Sequence, residues 1–179
     1  MPWVIFLRGV NVGAHNRFQP SLLSRQLAPL RVVNVGAAGT MVVFGKITPA
    51  RLRAKVLEQL SFIPEVMICD ARNILALAKA RPFADEKLDR DRRAFLTVVA
   101  KAPERLPRLP INAPATDPWQ VKVIAVSGNL VLSLWHRAGS RLLYPNEVVE
   151  KAFVTPATTR SWNTIETIVK IVGCQPTES

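Results

Sequence analysis

The residues best suited to chemistry lie in two polar segments near the ends of the chain. Leu7-Arg8-Gly9-Val10-Asn11-Val12-Gly13-Ala14-His15-Asn16-Arg17 sets a guanidinium at the end of an apolar stretch, followed by two glycines, an asparagine, a histidine and a second arginine. A glycine-bearing loop exposes backbone N–H groups, and with such donors beside them it can hold an anion. Thr158-Thr159-Arg160-Ser161-Trp162-Asn163-Thr164 reads as the start of the last helix, with Thr158 or Thr159 as N-cap. Helix N-termini favour anions because their first amides are unsatisfied and the helix dipole is positive there. Arg8, Gly9, Asn11, Gly13, His15, Arg17, Arg160, Trp162 and Asn163, with Arg141 added to them, form a candidate ligand-binding set. Both segments also have a structural reading. In it, the first is a bend with Asn11 capping a turn, and the second is a capped helix with Trp162 as core anchor and Arg160 in an ion pair.

Other chemistry finds no constellation. Gly39 to Lys46 falls short of a P-loop, because five residues separate its glycines, Ile47 replaces the required Ser or Thr, and the stretch reads as strand. Gly9 and Gly13 are too widely spaced for a dinucleotide fingerprint. His15 and His136 each stand without Cys, Asp or Glu at metal spacing, so no metal and no cofactor is expected. No serine sits in a nucleophile elbow, and no nucleophile has an identifiable base. Cys69 and Cys174 lie in or beside apolar sequence and read as inert thiols.

The elements that would position these residues follow from local patterning. Residues 3 to 7 read as a buried strand, and Leu22, Leu23, Leu27 and Leu30 mark one face of a helix from Pro20 to near Ala28. Val32 to Val35 and Met41 to Phe44 flank Gly36-Ala37-Ala38-Gly39 as a hairpin. Thr48 and Pro49 open a helix over 50 to 60, and a strand follows at 65 to 69. Strand, helix, hairpin, helix, strand is the split β-α-β order, so the first half is expected to be ferredoxin-like within an α+β protein. Asp70 should cap a helix over 71 to 80, and the charged segment 79 to 93 should cross between the halves.

In the second half a strand at 94 to 100 leads into a proline-rich connection that should be extended. A hairpin of 120 to 126 with 130 to 135 follows, then helices near 146 to 152 and 159 to 172. The expected division is 1 to 80 and 81 to 179, as one structural unit. Ala38-Gly39-Thr40-Met41-Val42-Val43 echoes Ser127-Gly128-Asn129-Leu130-Val131-Leu132, which fits either a duplicated half or two hairpins obeying the same turn rules.

Arg8-Gly9-Val10-Asn11-Val12-Gly13 and Thr159-Arg160-Ser161-Trp162-Asn163-Thr164, with the hairpin near Gly39 and the triplet Ser140-Arg141-Leu142, resemble the bacterial domain of unknown function numbered sixteen ninety-seven. The resemblance spans nearly the whole chain. It implies an α+β fold of ferredoxin-like character and no particular activity, cofactor or catalytic residue. The chain departs from the pattern at Ala14, where the family usually has a second glycine, at Ala38-Gly39-Thr40 in place of Ser-Gly-Asn, and at Ser161 in place of Asn.

With 49% apolar and 21% charged residues and a mean hydropathy of +0.15, the chain has the composition of a folded globular protein. Apolar runs are too short for a membrane helix, and the N-terminus lacks the features of a signal peptide, so a cytoplasmic protein is expected. Of the net +11, residues 1 to 60 supply +7, with eight bases against one acid. Such a field draws phosphates, nucleic acid or acidic partners. The favoured reading is a binding protein for a phosphate-bearing ligand, a small phosphorylated molecule or nucleic acid. The alternatives are an enzyme with its site between the halves, where the Arg8 loop and the Arg160 helix end converge on a substrate with Ser140, Arg141 and Tyr144 nearby, and a homodimeric interaction protein without a ligand.

Overall fold

The computed structural model describes residues 2–10, 19–139 and 142–174. Among them, nine strands form two antiparallel sheets accompanied by five α-helices, an α+β protein. No described helix is long and apolar enough to cross a membrane. The chain divides into two compact units. One runs to Pro82 and takes in the chain from Thr164 onward, and the other is Phe83–Asn163.

The first unit opens with β1 (Trp3–Arg8), and α1 (Pro20–Gln26) follows. α1 stops short of the expected Ala28 because Pro29 disfavours helical backbone at the residue before it, so a 3-10 turn, Ala28–Leu30, completes the segment. β2 (Val32–Asn34) and β3 (Thr40–Val43) form the hairpin, with Val32 opposite Val43. α2 (Pro49–Glu58) has Thr48 as its cap, whose hydroxyl accepts from the Arg51 N–H at 3.4 Å. β4 (Glu65–Asp70) runs directly into α3 (Ala71–Lys79), and Asp70 caps it by accepting from the Arg72 N–H at 2.8 Å.

The order β2-β3-β1-β4, antiparallel throughout, is compatible with the ferredoxin-like arrangement. Ile5, Leu7, Met41, Val43 and Val66 project from one sheet face and join Leu23 of α1, Leu27 just after it, and Leu52 and Val56 of α2 in one core. Both helices therefore bury their apolar stripe on that face. Val4, Phe6 and Val42, on the opposite face, are also wholly inaccessible. Burial on both faces is why β1 reads as an uninterrupted apolar run instead of an alternating one.

The second unit holds β5 (Arg92–Val99), β6 (Ile111–Ala113), β7 (Val121–Ser127), β8 (Leu130–His136), α4 (Pro145–Phe153) and β9 (Ala157–Ser161), and α5 (Trp162–Gly173) begins at its end. The sheet order is β6-β7-β8-β5-β9. Val99, Val123, Val131 and Ala157 pack with Val149 of α4 into a core on one face. The proline-rich connection contains no helix and runs through a series of bends. Ile111–Ala113 additionally pairs with β7 as a short edge strand, the place where flanking prolines do least harm to a ladder.

The last helix begins at Trp162, not at 159, and 157–161 is a strand. Thr158 and Thr159 fit an N-cap by residue type, but they are β-branched, and the edge of β5 offers them a ladder. Thr97 and Thr159, directly opposite, hydrogen-bond through their hydroxyls at 2.7 Å.

The two units share more than a hairpin motif. The second sheet's β7-β8-β5-β9 repeats β2-β3-β1-β4, α4 stands where α2 does, and β9 runs straight into α5 as β4 does into α3. Gly39 and Gly128, the echoed glycines, are both left-handed, at φ 72° and 59°. Two hairpins obeying the same turn rules would share the glycines but not the strand order, so the repetition favours a duplicated half.

Candidate functional site

Of the expected site residues, Asn11, Gly13, His15, Arg17 and Arg141 lie outside the described residues. Arg8 ends β1, and Gly9 follows it, exposed and left-handed at φ 79°. Beside them sits the β2–β3 turn, where the Gly39 carbonyl accepts from the Leu7 N–H at 2.8 Å. A Cβ on Gly39 would stand 2.9 Å from Leu7 Cβ and 3.0 Å from Val10 Cγ2, so only glycine lets the turn close on the end of β1.

Arg160 is not at a helix N-terminus. It lies on β9 opposite Leu96, only 8% exposed, and its Nη1 donates to Thr158 Oγ1 at 2.7 Å and to the Thr159 carbonyl at 2.9 Å. Burial pushes its pKa down to about 10. Trp162, the first residue of α5, sets its ring edge-on to Phe83 at 4.9 Å, as a packing anchor does, and Asn163 is exposed beside it.

The first unit contains a concavity that the end motifs did not indicate. A cavity of about 590 Å³ is lined by Trp3, Leu30, Lys46, Ile47, Thr48, Arg51 and Lys55. Its walls come from three places. Trp3 begins β1 and is fixed by its indole N–H donating to the Ile47 carbonyl at 2.9 Å. Leu30 comes from the 3-10 turn, held to the loop after β3 by the Gly45 N–H donating to the Leu30 carbonyl at 2.8 Å. A Cβ on Gly45 would stand 2.8 Å from Leu30 Cα, so the loop reaches this wall because the residue is glycine. The third wall is the first turns of α2, where Arg51 and Lys55 share a face at the i, i+4 spacing.

Three cations and no carboxylate line this space. Like charges around one concavity repel each other, and an entering anion relieves that repulsion while gaining the positive end of α2. The lining also supplies an indole and two aliphatic side chains, but no histidine, cysteine or acid to act as base or nucleophile. The arrangement can bind an anion that carries an apolar portion. A second depression, in the other unit, is different in kind, because there Lys101 is paired with Glu104 at 3.1 Å.

Trp3 and Arg8 stand at opposite ends of β1, about 16 Å apart at the usual strand rise, and Arg8 does not line the cavity. The sequence did contain a signal for the cavity. Lys46, the Thr48-Pro49 helix opening, and Arg51 with Lys55 one turn apart are legible, but the partners Trp3 and Leu30 come from elements that only the fold brings alongside.

No curated protein matches the chain. Among solved structures, a conserved bacterial protein from Streptococcus pneumoniae has a similar fold, with a TM-score of 0.63 at 16% identity over 96% of this chain and 98% of that one. At that identity the likeness speaks for the fold alone. The model of the family described as protein of unknown function, DUF1697, matches residues 1–126. The chain belongs to the DUF1697 family.

Proposed function

We propose that this protein binds a phosphate-bearing ligand in the cytoplasm, through the cavity lined by Lys46, Arg51 and Lys55. The observation that carries the reading is the lining itself, three cations with no acid among them, walled on the other sides by Trp3, Leu30 and Ile47. The charge of the first sixty residues adds to it, since a net +7 there raises the local concentration of anions. The lining favours binding over turnover because it offers no base.

A thermal-shift panel of pyrophosphate, nucleotides and sugar phosphates tests this. Wild type should be stabilised by at least one of them, more strongly at low salt, because a ligand that binds only the folded state raises its melting temperature. An Arg51→Ala, Lys55→Ala variant should lose that stabilisation, while Arg8→Ala keeps it. Stabilisation lost in Arg8→Ala and kept in the double variant would move the ligand to the Arg8 turn. No stabilisation by any phosphate would overturn the reading.

A further inference from the structure

At one end of the second sheet, three side chains from different strands gather around Trp119. The Arg92 guanidinium, at the start of β5, stands 5.7 Å from the ring centre, and Lys122 Nζ, on β7, stands 5.6 Å from it. The His136 ring, at the end of β8, lies 5.7 Å away, tilted by 60°. The strand register accounts for the gathering. Arg92 pairs with His136, and Lys122 pairs with Leu134 two residues earlier on β8, so all three side chains leave the same sheet face at the same end. Nearby, Arg93 stands 5.9 Å from the centre of the Trp135 ring.

Among the described residues neither Arg92 nor Lys122 forms an ion pair. Asp89, three residues before Arg92, accepts from the Asp91 and Arg92 N–H groups at 2.8 and 2.9 Å, and the Arg92 charge adds a smaller share to the lowering of its carboxyl. Trp119 is only partly buried, so part of the indole faces solvent with cations beside it. A flat ring that accepts a base, flanked by cations that neutralise phosphates, is the combination with which proteins hold unpaired strands. Duplex bases are already stacked on one another and cannot use such a ring, and an acidic peptide would need the cations but not the indole.

We propose that the Trp119 cluster, with Arg92, Lys122 and His136, is a binding site for single-stranded nucleic acid. It rests on residues of the second unit alone and is independent of the cavity lined by Lys46, Arg51 and Lys55.

The test is a titration of the full chain with a fluorescein-labelled thymidine oligonucleotide, read by anisotropy, with a matching duplex and poly-glutamate as competitors. Wild type should prefer the single strand. Trp119→Leu should weaken it about tenfold, the loss of one stacked base, and Trp119→Phe, which keeps a ring, should weaken it by no more than about threefold. Arg92→Ala with Lys122→Ala should make the slope of log affinity against log salt shallower by about 1.4, two phosphate contacts on a single strand. Equal binding by wild type and Trp119→Leu would overturn the proposal, as would equal losses in the Leu and Phe variants or competition by poly-glutamate as strong as by the unlabelled oligonucleotide. Affinity retained in the Arg92, Lys122 variant but lost in the Arg51, Lys55 variant would also overturn it, placing the strand in the cavity.

Discussion

Single residues decide two of the features that shape this protein. Gly39 and Gly128 are both left-handed and occupy equivalent turns, yet their surroundings differ: a Cβ at Gly39 meets Leu7 and Val10, whereas one at Gly128 meets nothing within 4 Å. Gly128→Ala should therefore cost only backbone strain, about 1 kcal/mol. Gly39→Ala adds overpacking and should cost about 2–4 kcal/mol by urea unfolding. Equal costs would contradict the close approach. Asp70 supplies a second case. The Arg72 side chain, opposed by some desolvation and helped by the Arg72 backbone N–H, holds its carboxyl below the ordinary value of 3.8. A group lowered in the folded state contributes stability above its unfolded value and loses it as pH falls through the folded one. Asp70→Ala should cost about 1 kcal/mol at neutral pH, the usual value of an N-cap, and the gap to wild type should narrow as pH falls below 3.8. A gap constant across that range would remove the charge from the account.

At the level of elements, the loop between β3 and α2 sets one wall of the cavity through Gly45. Gly45→Ala should push the loop off Leu30, lower stability by about 1–3 kcal/mol, and abolish stabilisation by the phosphate compound that raises the wild-type melting temperature. A variant that still binds as wild type does would show that this wall is not needed. Elements built from local signals were legible in the sequence. α2 and α3 follow from Thr48, Pro49 and Asp70, and the first hairpin follows from its glycines. β9 was not, because Thr158 and Thr159 satisfy both cap and strand preferences and the choice is made by β5, some sixty residues earlier. β6 was hidden for a related reason, since three residues among prolines carry no period and need β7 to become a strand. The candidate site was legible only in part. Arg8 and Gly9 stand where a strand runs into a turn, as expected, whereas Arg160 proved to be a buried strand residue, and the cavity draws on β1, a 3-10 turn and α2 together.

For the whole molecule, charge and topology run in parallel. Two units repeat one strand order, yet the first sixty residues carry +7 of the net +11, and three of their eight bases line one cavity. Repetition of a fold with unequal charge gives each unit its own surface, and the cavity is where the first unit concentrates its field. The most direct test is a nitrogen-15 NMR titration of the protein with pyrophosphate at low salt. The Trp3 indole N–H, bonded to the Ile47 carbonyl, and the amides of Lys46 to Lys55 should shift together and saturate with one dissociation constant, and the Arg51→Ala, Lys55→Ala variant should show no such shifts. Saturating shifts elsewhere, with Trp3 and the start of α2 unmoved, would contradict it.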